Sequence, residues 1–319
     1  MTKHETAPAI EARELTKRFG SVTAVDRLAL SIPPGEIFGL VGPDGAGKTT
    51  TMRLLTGVMQ PTTGSVKVLG LEITRDPEAV RHRIGYVPQN SSLYADLTVL
   101  ENLQFQADLF GIPRAERDRK AAELLTFSRL EPFAKRLCRN LSGGMRQKLA
   151  LCAALIHRPE VLFLDEPTIG VDPVSRREFW LLIYQLLQQG LTLLVSTPYL
   201  DEAERCHRVG LMDRGHLVAC DTPPRLREIL PGTVLELRGP APEAVSALLS
   251  RLPEVREAQV FGDTLHLVVT DAMRDSARIR TVLQGQGVAD VQLRPIVPSL
   301  EDVFVALLRQ RSPGTLVRD

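Results

Sequence analysis

Gly42-Pro43-Asp44-Gly45-Ala46-Gly47-Lys48-Thr49 follows the β-prone run Glu36-Ile37-Phe38-Gly39-Leu40-Val41 and leads into Thr50-Thr51-Met52-Arg53-Leu54-Leu55, which reads as a helix. The stretch fits G-x-x-x-x-G-K-[ST] in its strand-to-helix context. Glycines at this spacing let successive backbone N–H groups turn inward around phosphate oxygens, at the positive end of the helix that follows. Lys48 is expected to reach the β- and γ-phosphates of a nucleotide, and the Thr49 hydroxyl to bind Mg2+. Gly42, Asp44, Gly45, Gly47 and Thr50 complete the expected phosphate cradle.

The surrounding chain is of ordinary globular composition. Its 319 residues are 44% hydrophobic and 24% charged, enough for one large domain and a smaller one. A net charge of +1 provides no field to attract nucleic acid or anionic lipid, so phosphate binding must be local. Cys138, Cys152, Cys206 and Cys220 are scattered without a C-x-x-C pair, which suggests neither a zinc site nor a disulfide framework and fits reduced thiols. Met1 to Pro8 lacks the apolar core of a signal peptide. No apolar run approaches the ~18 residues that would span a bilayer, so a membrane role requires a partner chain.

Outward from the loop, Ala9–Leu15 and Val22–Ile32 read as strands, with Phe19 between them. Ser65–Gly70 and Ile84–Gln89 are further short strand segments. Helical periodicity takes over from Thr98 to Arg136, as a helical insertion spanning about residues 90–158. The later order is strand Val161–Glu166, helix Val174–Gln189, strand Leu191–Ser196 and helix Leu200–Cys206. That β/α alternation implies a parallel sheet. After breaks at Thr222-Pro223-Pro224 and Leu230-Pro231-Gly232, residues 231–319 read strand, helix, strand, strand, helix, strand, the last from Ala289 to Leu293. This is a small ferredoxin-like α+β domain, followed by a helix from Ser299.

Val161-Leu162-Phe163-Leu164 is apolar throughout, as in strands buried on both faces, and ends in Asp165-Glu166. Beside a phosphate loop, Asp165 is placed to hold Mg2+ through water and Glu166 to polarise a water attacking the γ-phosphate. Leu141-Ser142-Gly143-Gly144-Met145-Arg146-Gln147 opens another helix. Alone, Ser-Gly-Gly is an N-cap with a flexible entry; the same geometry offers a hydroxyl and free N–H groups to an anion. A chain with its own phosphate loop needs that second cradle only if it serves a second nucleotide.

With these segments in this order, residues 9–220 resemble the ATP-binding-cassette (ABC) ATPases. Gly42–Thr49 is similar to their Walker A motif, Val161–Glu166 to Walker B, Leu141–Gln147 to the signature, Gln89 to the Q-loop glutamine and Pro167–Asp172 to the D-loop. The resemblance implies an α/β P-loop NTPase fold of ABC type over residues 1–230: a RecA-like core sheet with antiparallel β and helical subdomains. It implies ATP and Mg2+ as ligands, Lys48, Gln89 and Glu166 as catalytic residues, and Thr49, Gln89 and Asp165 at the metal. It further implies head-to-tail pairing with a second cassette, as a homo- or heterodimer, in which Ser142, Gly143 and Gly144 bind the partner's nucleotide. Phe19 would stack on adenine.

Tyr94 to Leu103, Tyr199 to Glu204 and the closing Pro298 to Phe304 look most like exporters of the daunorubicin-resistance type. Such ATPases sit in the cytoplasm against the inner face of the cell membrane and serve separately encoded permeases for drugs or antibiotics. Soluble ABC ATPases of DNA repair, chromosome organisation or translation are the alternative, but they carry coiled-coil insertions, zinc fingers or joined cassettes, and near-zero charge argues against nucleic acid. Importer ATPases would end in a barrel-like β-rich domain. Two positions depart from the family pattern. Pro198 stands where a γ-phosphate-contacting histidine is usual, and the next histidine, His207, is expected in a helix. Asp44 replaces a commoner asparagine, and its carboxylate is expected to face out of the cradle. Hydrolysis at this chain's own site is therefore expected to be slow.

Overall fold

The computed structural model describes residues 7–90, 92–288 and 291–311. Met1 to Thr6 and the expected start of the last strand at Ala289 lie outside the described residues. The chain divides into two compact units, up to Cys220 and from Asp221 onward.

In the first unit, β1 (Ile10–Phe19), β2 (Val22–Ile32), β4 (Thr63–Val68) and β5 (Leu71–Glu72) form an antiparallel four-stranded sheet in the order β2-β1-β4-β5. Between them, β3 (Ile37–Val41) enters a second sheet and delivers the chain to α1 (Lys48–Leu55). After α2 (Pro77–Arg81), β6 (Ile84–Val87) forms the edge of that second sheet. The sheet is completed by β7 (Val161–Asp165), β8 (Thr192–Thr197), β9 (Arg208–Asp213) and β10 (His216–Asp221), in the order β10-β9-β3-β8-β7-β6. Pairings β3/β8, β3/β9, β6/β7 and β7/β8 are all parallel. Every residue of β3, β7 and β8 is buried, which accounts for the unbroken apolar run Val161–Leu164 in β7.

The helical insertion contains α3 (Val99–Leu109), α4 (Arg114–Ser128) and α5 (Gly143–Leu155). A capping box starts α3: Glu101 N–H donates to Thr98 Oγ1 at 3.2 Å, and Thr98 N–H to Glu101 Oε2 at 2.7 Å. Leu103, Ala121, Leu125 and Leu149 give the three helices a core of their own. Following β7, α6 (Pro173–Gln188) returns the chain to β8. The expected helix Leu200–Cys206 is only α7 (Leu200–Ala203), so His207 lies beyond it. There His207 Nδ1 accepts from Ile37 N–H at 3.0 Å and its own N–H reaches Ile37 O at 2.9 Å, tying it to β3.

The second unit starts at Asp221, ahead of the boundary at residue 231 expected from the Leu230-Pro231-Gly232 break, because α8 (Pro223–Glu228) packs against α11 (Leu300–Arg311). Its β11 (Thr233–Arg238), α9 (Pro242–Leu249), β12 (Val255–Phe261), β13 (Thr264–Val269), α10 (Ala272–Gly285) and β14 (Gln292–Ile296) follow the expected order. The antiparallel sheet runs β12-β13-β11-β14, which is the split βαβ arrangement. Leu235, Leu237, Leu265 and Leu267 face Val245, Leu249, Ile279 and Leu283 in one core.

Candidate nucleotide site

The β3-to-α1 turn builds the cradle. Gly45 and Gly47 take φ values of +79° and +103°, and Gly47 caps α1. A Cβ on Gly47 would lie 2.4 Å from Ala24 O, so no other residue fits there without moving the backbone. Gly215, in the turn between β9 and β10, donates its N–H to Ala46 O at 2.9 Å and braces the loop from behind. The first N–H groups of α1 have no intrahelical acceptor, which leaves that helix end able to bind an anion.

Ala24, residues 44–50, Gln89 and Glu166 line one open cleft of about 330 Å3. Lys48 donates to Gly42 O at 2.7 Å and Pro43 O at 3.0 Å, and pairs with Glu166 at 3.0 Å. Gln89 Nε2 donates to the other Glu166 oxygen at 2.7 Å. Thr49 Oγ1 donates to Asp165 Oδ1 at 3.2 Å, joining the start of α1 to the end of β7. Asp44 is exposed and is itself among the residues lining the cleft.

Residues that the sequence did not single out hold the two acids. The parallel register sets Asp165 beside Ser196. Ser196 Oγ donates to Asp165 Oδ1 at 2.6 Å and accepts from Glu166 N–H at 2.9 Å. From β6, Tyr86 donates its hydroxyl to Asp165 Oδ2 at 3.3 Å. Burial, followed by the nearby Asp165 charge, pushes the Tyr86 pKa up to about 12, so it remains a neutral donor.

The sequence profile described as ABC transporter matches residues 25–169. The chain is 40% identical over 301 residues to the Nod factor export ATP-binding protein I of Paraburkholderia xenovorans, covering 94% of this chain and 96% of that one. The chain belongs to the ABC transporter family. This ABC protein is also 40% identical to the probable multidrug ABC transporter ATP-binding protein YbhF of Escherichia coli, over 92% of its own length but only 51% of the relative's. It thus spans about half of that longer relative. Among solved structures, the dimeric post-hydrolysis ATP-binding cassette MJ0796 bound to ADP and Pi matches 67% of this chain and 98% of its own at 27% identity, with a TM-score of 0.60.

The remaining candidate residues of this ABC cassette lie elsewhere. Ser142 caps α5, accepting from Met145 N–H at 3.3 Å, and Gly143 and Gly144 begin that helix. None of the three lines the phosphate cleft. Phe19 ends β1, 48% exposed, with the Lys17 ammonium 5.2 Å from its ring centre, and likewise does not line the cleft. Pro198 follows β8 and is half-buried; no histidine is among the described residues lining the cleft. The oxygens of Thr49, Asp165 and Gln89 are a hard donor set of the kind Mg2+ takes, and the glycine-rich cradle has room for phosphate. No helix among the described residues is long and apolar enough to cross a membrane.

Proposed function

We propose that this chain binds and hydrolyses ATP to power an export transporter through a separately encoded membrane permease. The observation that carries the reading is the convergence of Lys48, Thr49, Gln89 and Glu166 on one cleft, with Asp165 bonded to Thr49 at its edge. Lys48 neutralises charge on the β- and γ-phosphates of bound ATP. Glu166 accepts a proton from a water that Gln89 helps to orient; attack on the γ-phosphorus breaks its bond to the bridging oxygen and leaves ADP and phosphate. Thr49, Asp165 and Gln89 are the residues that would hold Mg2+, which would supply Lewis-acid polarisation of the phosphate oxygens.

Ser142, Gly143 and Gly144 stand apart from the cradle, which supports a working dimer in which they complete a second cassette's nucleotide site. Phe19, exposed on the β1–β2 hairpin, supplies a stacking face for adenine. The protein is peripheral on the cytoplasmic face of the cell membrane and binds no nucleic acid. One relative is named for multidrug transport and another for Nod factor export, which supports an exported small molecule as the cargo.

Because Pro198 offers neither donor nor imidazole, hydrolysis at this chain's own site is slow. Losing one preorganised contact to the transition state costs roughly 10²–10³ in rate. Steady-state turnover of wild type beside Pro198→His and Glu166→Gln tests this. The histidine variant is expected to be faster and Glu166→Gln to be nearly inactive; equal rates for wild type and Pro198→His overturn the slow-site reading. Purification from native membranes is expected to bring down a polytopic permease.

A further inference from the structure

Glu202 in α7 is 0% exposed, and both of its carboxylate oxygens are engaged. Oε1 accepts from Thr168 Oγ1 at 2.6 Å and Oε2 from Thr197 Oγ1 at 2.8 Å. Arg176 Nε lies 3.6 Å from Oε1, and the arginine's guanidinium stacks over the Tyr199 ring at 4.4 Å. Burying a carboxylate is costly unless hydrogen bonds replace its water, and here two buried hydroxyls do so. Both belong to segments that bear on the nucleotide site. Thr168 lies just past Glu166, and Thr197 follows Ser196, the residue that holds both Asp165 and the Glu166 N–H.

Glu166 itself needs such support, because its φ is +51°. A non-glycine residue in this left-handed region is strained and persists only where its surroundings over-determine it. On its N-terminal side the restraint is firm, since Glu166 N–H donates to Ser196 O at 3.1 Å and Ser196 Oγ at 2.9 Å. On its C-terminal side, among the described residues, the Glu166 carbonyl accepts a long 3.4 Å bond from Ile169 N–H. The short Thr168–Glu202 bond anchors that side to the end of β8.

We propose that Glu202 is a positioning residue for Glu166: by tying Thr168 to Thr197 it locks the left-handed backbone that aims Glu166 into the phosphate cleft. The proposal rests on Glu166 being the acid that receives the water's proton. It also gives the segment around Pro198 a mechanical role in a site without the histidine.

The test is turnover of γ-labelled ATP by the full-length chain, with wild type and Glu166→Gln setting signal and floor. If Glu166→Gln turns over like wild type, the hydrolytic reading itself fails, independently of Glu202. With that floor in place, Glu202→Ala is expected to lower kcat about 10–100-fold, the scale of a misplaced catalytic group. KM for ATP should stay within about threefold, because the phosphate cradle is untouched. Glu202→Gln, which can still bond both hydroxyls, should recover most of kcat. Should Glu202→Ala not fold, Thr168→Val decides: it keeps the Glu202–Thr197 bond and should lower kcat in the same way. Wild-type kcat in Thr168→Val, or a rise in KM matching the fall in kcat, would overturn the proposal.

Discussion

Lys48 Nζ lies 3.0 Å from Glu166 Oε1, and each side chain is only 4% exposed. Lysine and acid thus neutralise each other at the mouth of the cradle, and nucleotide phosphate must compete for the ammonium. Removing one partner of such a pair leaves a buried charge alone. Lys48→Ala is expected to lower stability by about 3–5 kcal/mol, seen as a drop in the thermal midpoint. The double variant Lys48→Ala/Glu166→Gln should regain much of that stability yet still fail to bind a fluorescent ATP analogue. Recovery of binding in the double variant would count against a phosphate-contacting role for Lys48.

Ser196 Oγ bridges Asp165 Oδ1 and the Glu166 N–H, so it orients both acids without being aimed at phosphate. Outer partners of metal-holding groups typically affect metal affinity about 10–100-fold. Ser196→Ala should therefore raise the Mg2+ concentration needed for half-maximal turnover by about that factor. The thermal midpoint should move much less, since the Ser196 carbonyl still accepts from Glu166 N–H.

Tyr86 bears on stability at high pH. Its pKa of about 12, against an ordinary 10.0, comes first from burial and then from Asp165. The folded chain therefore holds this proton more tightly than the unfolded chain. The contribution is complete below pH 10 and is lost as the pH climbs towards 12. Urea midpoints measured across that window should fall more steeply for wild type than for Tyr86→Phe. Buried Cys152, also pushed up to about 12, acts in the same direction in both proteins and cancels in the comparison.

Gly144 is fixed by packing rather than by backbone angle. A Cβ there would stand 2.4 Å from Ser175 Cβ and 2.5 Å from its Oγ, where α5 meets α6. Gly144→Ala should destabilise by about 1–3 kcal/mol, the usual cost of overpacking. Ser175→Gly in the same chain removes both obstructing atoms and should restore much of the thermal midpoint. A Gly144→Ala chain as stable as wild type would show that the two helices part freely.

In the second unit, Asp302 Oδ1 is 2.8 Å from His266 Nδ1, and its Oδ2 accepts from the N–H and hydroxyl of Ser299, each at 2.7 Å. Burial opposes ionisation, but the hydrogen bonds from His266 and Ser299 outweigh it and hold the carboxyl below its ordinary 3.8. This contribution is present above the unfolded value and disappears as the pH falls through the folded one. Hydrogen exchange should accordingly show α11 losing protection on acidification, and Asp302→Asn should flatten that dependence. An unchanged acid profile in the asparagine variant would remove Asp302 from the account.

The sequence by itself determined the phosphate loop, the two acids after an all-apolar strand, the β/α alternation and the split βαβ order of the second unit. Each of these signals is local: a glycine spacing, a run of buried residues, a change of period. Only the tertiary structure brought Ser196 and Tyr86 to Asp165, Gly215 and Ala24 to the loop, and Thr168 and Thr197 to Glu202, because side chains from separate segments meet through strand register and packing. The β9–β10 hairpin behind the loop carries no distinctive pattern of its own, and α7 proved shorter than its composition suggested. The left-handed backbone at Glu166 was equally hidden, since nothing in a glutamate announces a positive φ; it is a strain that the packed ends of β7 and β8 impose and sustain.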